Sequence, residues 1–91
     1  SYKKMALFGC GDETMTDTFC NGVHDLYKRM KRTGAKLIGK YTAVPFKFDR
    51  SESVDSLHFA LGLLLDEVNH ADLTDARISD WAAHVRKEAE A

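Results

Sequence analysis

Two short apolar runs bracketing one amphipathic helix constrain this chain's fold more than any other feature. Residues 5–8, Met-Ala-Leu-Phe, break directly into Gly9-Cys10-Gly11-Asp12. Unbroken apolarity ended by glycine reads as a strand buried on both faces that opens into a loop. Phe19, Val23, Leu26, Tyr27 and Met30 then recur at three- and four-residue spacing, the period of a helix with one buried stripe. Thr16 or Asp17 is expected to cap its first amides, and Gly34 to take the left-handed conformation that ends it. Residues 36–41 return at once as a second strand. A strand–helix–strand crossover is nearly always right-handed and sets its strands parallel. The expected class is α/β, with ligands beyond the carboxyl ends of the strands.

The rest of the chain continues the alternation. Residues 46–49 alternate apolar and polar, as a short edge strand would, with Pro45 tolerable at its start. Residues 50–56 are polar and loop-like. Residues 59–65 form the most apolar stretch and suit a buried strand, although no β-branched residue supports that choice. A last helix is expected from Thr74, with Ile78, Trp81, Ala82 and Val85 on its buried face and a hydrophobic staple between Leu73 and Ile78. No repeat, low-complexity tract or Gly/Ser linker divides the sequence, so residues 1–91 are expected to form one unit.

Composition narrows the functions. A chain of 91 residues can bury only a small core, which disfavours a large enclosed active site. With 44% hydrophobic and 30% charged residues it suits a soluble globular segment, and no apolar run approaches the length of a membrane span. A formal net charge of −1 provides no field to attract nucleic acid or an anionic membrane. The first residues show neither the long apolar stretch nor the cleavage site of a signal peptide, and the two cysteines lack CxxC spacing. The expectation is a cytoplasmic chain with two reduced, buried thiols.

Several constellations are weaker. Lys28, Arg29, Lys31 and Arg32 crowd the last turns of the first helix, where cations meet exposed carbonyls; a solvated face is the simpler reading, with a phosphate or partner patch as the alternative. Cys10, Cys20, His24 and His70 match no standard zinc spacing. Ser51, Ser53 and Ser56 with Asp55 and His58 lack a nucleophile elbow, so no hydrolase is implied. His24 is expected to be a solvated surface residue, and Tyr27 and Trp81 to belong to the core or its edge.

Three stretches together resemble long-chain flavodoxins. The first is Ala6-Leu7-Phe8-Gly9-Cys10-Gly11-Asp12 with Asp17-Thr18-Phe19-Cys20. The second is Gly34-Ala35-Lys36-Leu37-Ile38-Gly39. The third is Leu65-Asp66-Glu67-Val68-Asn69 with Asp72-Leu73-Thr74-Asp75-Ala76-Arg77-Ile78 and Trp81. Residues 42–56 match the insertion that separates long-chain from short-chain members. The resemblance implies the carboxyl-terminal half of a doubly wound parallel sheet that carries flavin mononucleotide at its switch point. Only the last two strands of that sheet are represented. The family's Ser/Thr-rich phosphate loop, an anion site at a helix N-terminus, has no counterpart here.

Matched position by position, Cys10, Gly11 and Asp12 fall on the flavin ring edge. Met15 is the nearest match to the family's stacking tyrosine, in a loop one residue shorter, and Thr18 stands where the family often has asparagine. Backbone dipoles and a carboxylate around the ring would tune its redox potential. The resemblance thus implies an electron carrier, not an enzyme, with weak flavin mononucleotide binding by this chain alone. The alternative is a flavin-free interaction or scaffold module. Acidic residues Asp66, Glu67, Asp72 and Asp75 would face basic redox partner proteins. A bare sheet edge would be completed by a homo-oligomer or by a complementing amino-terminal flavodoxin half.

Overall fold

The computed structural model describes residues 3–15, 19–44, 46–48, 51–55 and 59–90. In chain order its elements are β1 (Lys4–Ala6), β2 (Phe8–Cys10), α1 (Asn21–Lys31), β3 (Lys36–Ile38), β4 (Tyr41–Thr42), β5 (Phe59–Ala60), β6 (Leu63–Leu65) and α2 (Ala71–Glu90). β1 pairs in parallel with β3, and β2 in parallel with β6, so the expected parallel crossover is present. β4 and β5 form a small antiparallel pair.

The first apolar run is one extended stretch serving two partners. Lys36 N donates to Lys3 O at 2.9 Å, Leu63 N donates to Leu7 O at 2.9 Å, and Gly11 N donates to Leu65 O at 2.8 Å. Successive residues of a strand turn their amides and carbonyls to opposite edges. Contacts at positions 3, 7 and 11 therefore lay β3 and β6 end to end along the same edge. The opposite edge, carrying the backbone groups of Ala6, Phe8 and Cys10, pairs with no strand among the described residues.

α1 packs over one face of this run, where Val23 fills the space that a side chain at position 9 would need. α2 covers the other face: Trp81 meets the Phe8 ring edge-on at 6.4 Å and donates its indole N–H to Gly39 O at 2.8 Å. Leu7, Phe19, Val23, Ala43, Phe46, Ala60 and Leu64 form the buried core.

Several sequence expectations change. The strand expected over 36–41 ends at Ile38, and Gly39 turns the chain at φ 85° before β4. The strand expected over 59–65 is interrupted at Leu61 and Gly62, because its two ends pair with different strands. Residues 46–48 are not a strand: Phe46 is buried, and the Phe46 and Phe48 rings sit 5.3 and 4.8 Å from that of Phe19. Their spacing serves a core plug, not a ladder. Pro45 and Asp49 lie outside the described residues.

The helix termini differ too. Thr16 and Asp17, the expected caps of α1, lie outside the described residues; the N-cap position is Cys20, at φ 53° and without a side-chain cap bond. Capping comes instead from the polar segment expected to be a plain loop. Ser53 is fully buried, donates from Oγ to Cys20 O at 2.7 Å and accepts His24 N at 2.9 Å, while Asn21 Oδ1 accepts Glu52 N at 2.9 Å. Gly34 is left-handed at φ 83°, as expected. α2 begins at Ala71, so Leu73 lies inside the helix and no staple forms there. Its buried residues are Thr74 and Arg77, whereas Ile78 is 42% exposed and Ala82 is also exposed.

Candidate functional site

The carboxyl end of β2 opens into the loop at 11–15, and that loop is anchored from below. Gly11 N extends the β6 ladder, and a Cβ at position 11 would lie 2.7 Å from Cys20 Sγ and 3.0 Å from Cys20 N. Glycine is required there by the approach of the segment leading into α1. Asp12 turns the loop: its Oδ1 accepts Thr14 N at 2.9 Å, Thr14 Oγ1 at 2.6 Å and Asn69 Nδ2 at 2.7 Å. The Thr14 and Asn69 bonds hold its carboxyl below the usual range. Met15 N closes the turn on Asp12 O at 2.9 Å and leaves the Met15 side chain 60% exposed.

Asp66 supports the loop from β6. It is 1% exposed, and all its acceptor positions are engaged: Oδ1 by Val68 N at 3.0 Å and Asn69 N at 2.9 Å, Oδ2 by Glu13 N at 2.8 Å and Asn69 Nδ2 at 2.9 Å. Burial pushes its pKa upward, but the bonds from Asn69, Glu13 and Val68 outweigh this and leave it lowered. Glu13 accepts Lys47 N and pairs with His70 Nε2, and its pKa is lowered, first by the Lys47 bond. One carboxylate thus ties the loop, β6 and the approach to α2 together.

Of the five sequence-selected residues, the structure brings Cys10, Gly11, Asp12 and Met15 onto one strand end, while Thr18 lies outside the described residues. Cys10 is exposed, contrary to the expected buried thiol; Cys20 is buried, and desolvation pushes its thiol up to about 12. The amides of Cys10 and Asp12 find no partner among the described residues. Cys10 belongs to the open edge and Asp12 to the loop that follows it, three residues ahead of the exposed Met15, so this strand end presents donors and an adaptable thioether suited to a planar group with acceptor atoms on its rim. Among the described residues α1 offers no anion cradle, because the 51–53 segment already occupies its first turn.

Asp66 is not the exposed acidic residue expected at a docking surface, since the loop consumes its charge. Glu13, Asp66 and His70 bring ligand atoms within 4.8 Å of one another. A cation there would have to displace bonds that Asp66 makes to four N–H groups, so the cluster fits a loop brace better than a metal centre. His24 is half-buried, not solvated, and its Nδ1 lies 3.1 Å from Glu52 Oε2. The brace that Glu13, Asn69 and His70 form with Asp66 escaped sequence reasoning. The usable signal was Asp66 with Asn69 three positions on, ahead of a helix, a spacing that suits side-chain capping of a turn. No helix among the described residues is long and apolar enough to cross a membrane.

Comparison with known proteins gives the same family from sequence and from fold. A family model described as flavodoxin matches residues 1–81. Flavodoxin from Buchnera aphidicola subsp. Acyrthosiphon pisum is 35% identical over 86 residues, 93% of this chain and 50% of that protein. Helicobacter pylori flavodoxin is 36% identical over 85 residues, 92% of this chain and 50% of that protein. The crystal structure of Fusobacterium nucleatum flavodoxin bound to flavin mononucleotide superposes with a TM-score of 0.86 at 30% identity, covering 94% of this chain and 52% of that one. The chain spans about half the length of the relatives it matches. Its α/β arrangement of parallel strand pieces and two helices is a partial flavodoxin fold, and the chain belongs to the flavodoxin family.

Proposed function

We propose that this chain is the ring-contacting part of an electron carrier that uses flavin mononucleotide, with the phosphate group held by a separate stretch of polypeptide. The amides of Cys10 and Asp12, which find no partner among the described residues, stand at a strand's carboxyl end ahead of exposed Met15 and carry this proposal. Names of the relatives and the flavin mononucleotide bound by the Fusobacterium protein support the choice of cofactor. When bound, that cofactor supplies one- and two-electron redox chemistry.

The chain's own groups then act on binding and charge. Cys10 and Asp12 donate backbone N–H bonds to the ring edge, Met15 covers part of a face, and Gly11 keeps the strand end close to Cys20. Thr18, outside the described residues, is assigned to the flavin by the family resemblance alone. The ionised Asp12 carboxylate disfavours additional negative charge nearby, which lowers the potential of the reduction that adds it. On this reading the protein carries electrons between redox partners and is not an enzyme. It acts in the cytoplasm on this reading, and residues 1–91 work as a single unit.

The open edge at Ala6, Phe8 and Cys10 takes a parallel strand, from a complementing flavodoxin half or from a second copy. Fluorescence of flavin mononucleotide tests the proposal. The chain alone leaves the emission nearly unquenched, and adding the amino-terminal half of the Helicobacter relative quenches it. An assembled complex, verified by co-sedimentation, that still fails to quench would leave only a flavin-free interaction module. Tight quenching by this chain alone would refute the external phosphate site.

A further inference from the structure

A cleft of about 550 Å³ opens away from the strand-end loop, between the outer flank of α1, Lys40 and residues 52–55 and 59–61. Its volume lies within the range of small-molecule sites, and none of its lining residues belongs to the loop at 11–15. Lys28 and Lys31 of α1 and Arg32 at its C-cap line the cleft together with Lys40, two residues beyond β3. Arg32 and Lys40 have no carboxylate partner among the described residues, and Lys28 reaches Asp25 only at 3.9 Å, with both side chains largely exposed. The two carboxylates on the facing segment are engaged: Glu52 with His24 at 3.1 Å, and Asp55 Oδ1 with Phe59 N at 3.0 Å. Apolar surface accompanies the charge. Phe59 is 50% exposed, and the Tyr27 ring lies 5.8 Å beneath the Lys31 ammonium.

We propose that this cleft is a second binding site, for a small phosphorylated ligand with a flat apolar body, such as a nucleoside diphosphate. The phosphates meet the cations of α1 and Lys40, and the flat body lies on Phe59 and Tyr27. Cations at the end of α1 also offset its exposed carbonyls, a purely structural role. Lys40 belongs to no helix, so that role does not account for its position in the cleft.

Amide shifts of the labelled chain, titrated with ADP, pyrophosphate and adenosine, test the site. ADP shifts residues 24–32, 40, 52–55 and 59–61 and saturates; pyrophosphate shifts the cationic subset more weakly, and adenosine is weakest. The double variant Lys31→Gln, Arg32→Gln weakens ADP roughly tenfold or more. On the unaltered chain, raising KCl from about 50 to about 200 mM weakens ADP several-fold. Salt-insensitive binding, no saturation at millimolar ADP, or equal shifts at remote Lys3 and Lys87 would overturn the proposal. So would a variant with a lowered Tm and unchanged ADP affinity, which would leave the cations only their helix-capping role.

Discussion

Asp66 shows how one buried carboxylate shapes a loop it does not belong to. Its four accepted N–H bonds come from the loop, from the turn after β6 and from a side chain that also reaches Asp12. Replacing it with asparagine turns one acceptor into a donor facing donors. Asp66→Asn is expected to lower stability by about 1–3 kcal/mol in urea unfolding at pH 7. Because the folded-state pKa lies below the unfolded value near 3.9, the carboxylate's contribution is complete above that value and disappears as pH falls through the lowered one. The gap between the parent and Asp66→Asn should therefore narrow toward pH 2. A gap of constant size from pH 7 to pH 2 would mean that the charge is irrelevant. Asp12 and Glu13, both shifted in the same direction, add to the acid sensitivity of the parent.

At the level of elements, Arg77 joins α2 to the rest. Its guanidinium donates to Leu64 O from Nε at 3.2 Å and Nη2 at 3.0 Å, to Val44 O at 3.0 Å and to Thr42 O at 2.8 Å, and it lies 4.5 Å from the centre of the Phe46 ring. Burial lowers its pKa. Arg77→Met is expected to destabilise by about 2–4 kcal/mol, because three carbonyls lose their donor. Arg77→Lys should recover little, since a single ammonium cannot reproduce the planar fork. Full recovery of the urea midpoint by lysine would show that charge alone matters. This side chain also explains what the sequence hid. Periodicity located both long helices and the parallel crossover, since those follow from apolar spacing. The same periodicity turned Trp81 and Val85 inward correctly but misplaced Ile78 and Ala82 and missed Arg77, because an arginine counts as polar even when carbonyls satisfy it. Likewise Gly9, Cys10, Gly11 and Asp12 marked a strand end, whereas the splitting of residues 59–65 depends on pairing partners that no local pattern records.

For the whole molecule, the decisive feature is the exposed edge with Phe8, 62% exposed, beside it. An apolar side chain next to free strand amides favours association. Sedimentation should show concentration-dependent self-association of the chain, and Phe8→Lys should shift it toward monomer without altering circular dichroism. A parent chain that stays monomeric and ignores a complementing half would remove any role for this edge. The other side of the same strand has a different consequence. Because a single stretch aligns both β3 and β6, it works as a splint: two broken ends are set in line by a third piece, and the detour between them need not position either. Doubling the length of such a detour costs only about 0.6 kcal/mol in closure entropy. The segment joining β3 to β6 can thus lengthen at little entropic cost between the points that Lys47 pins to Glu13 and Ser53 pins to α1.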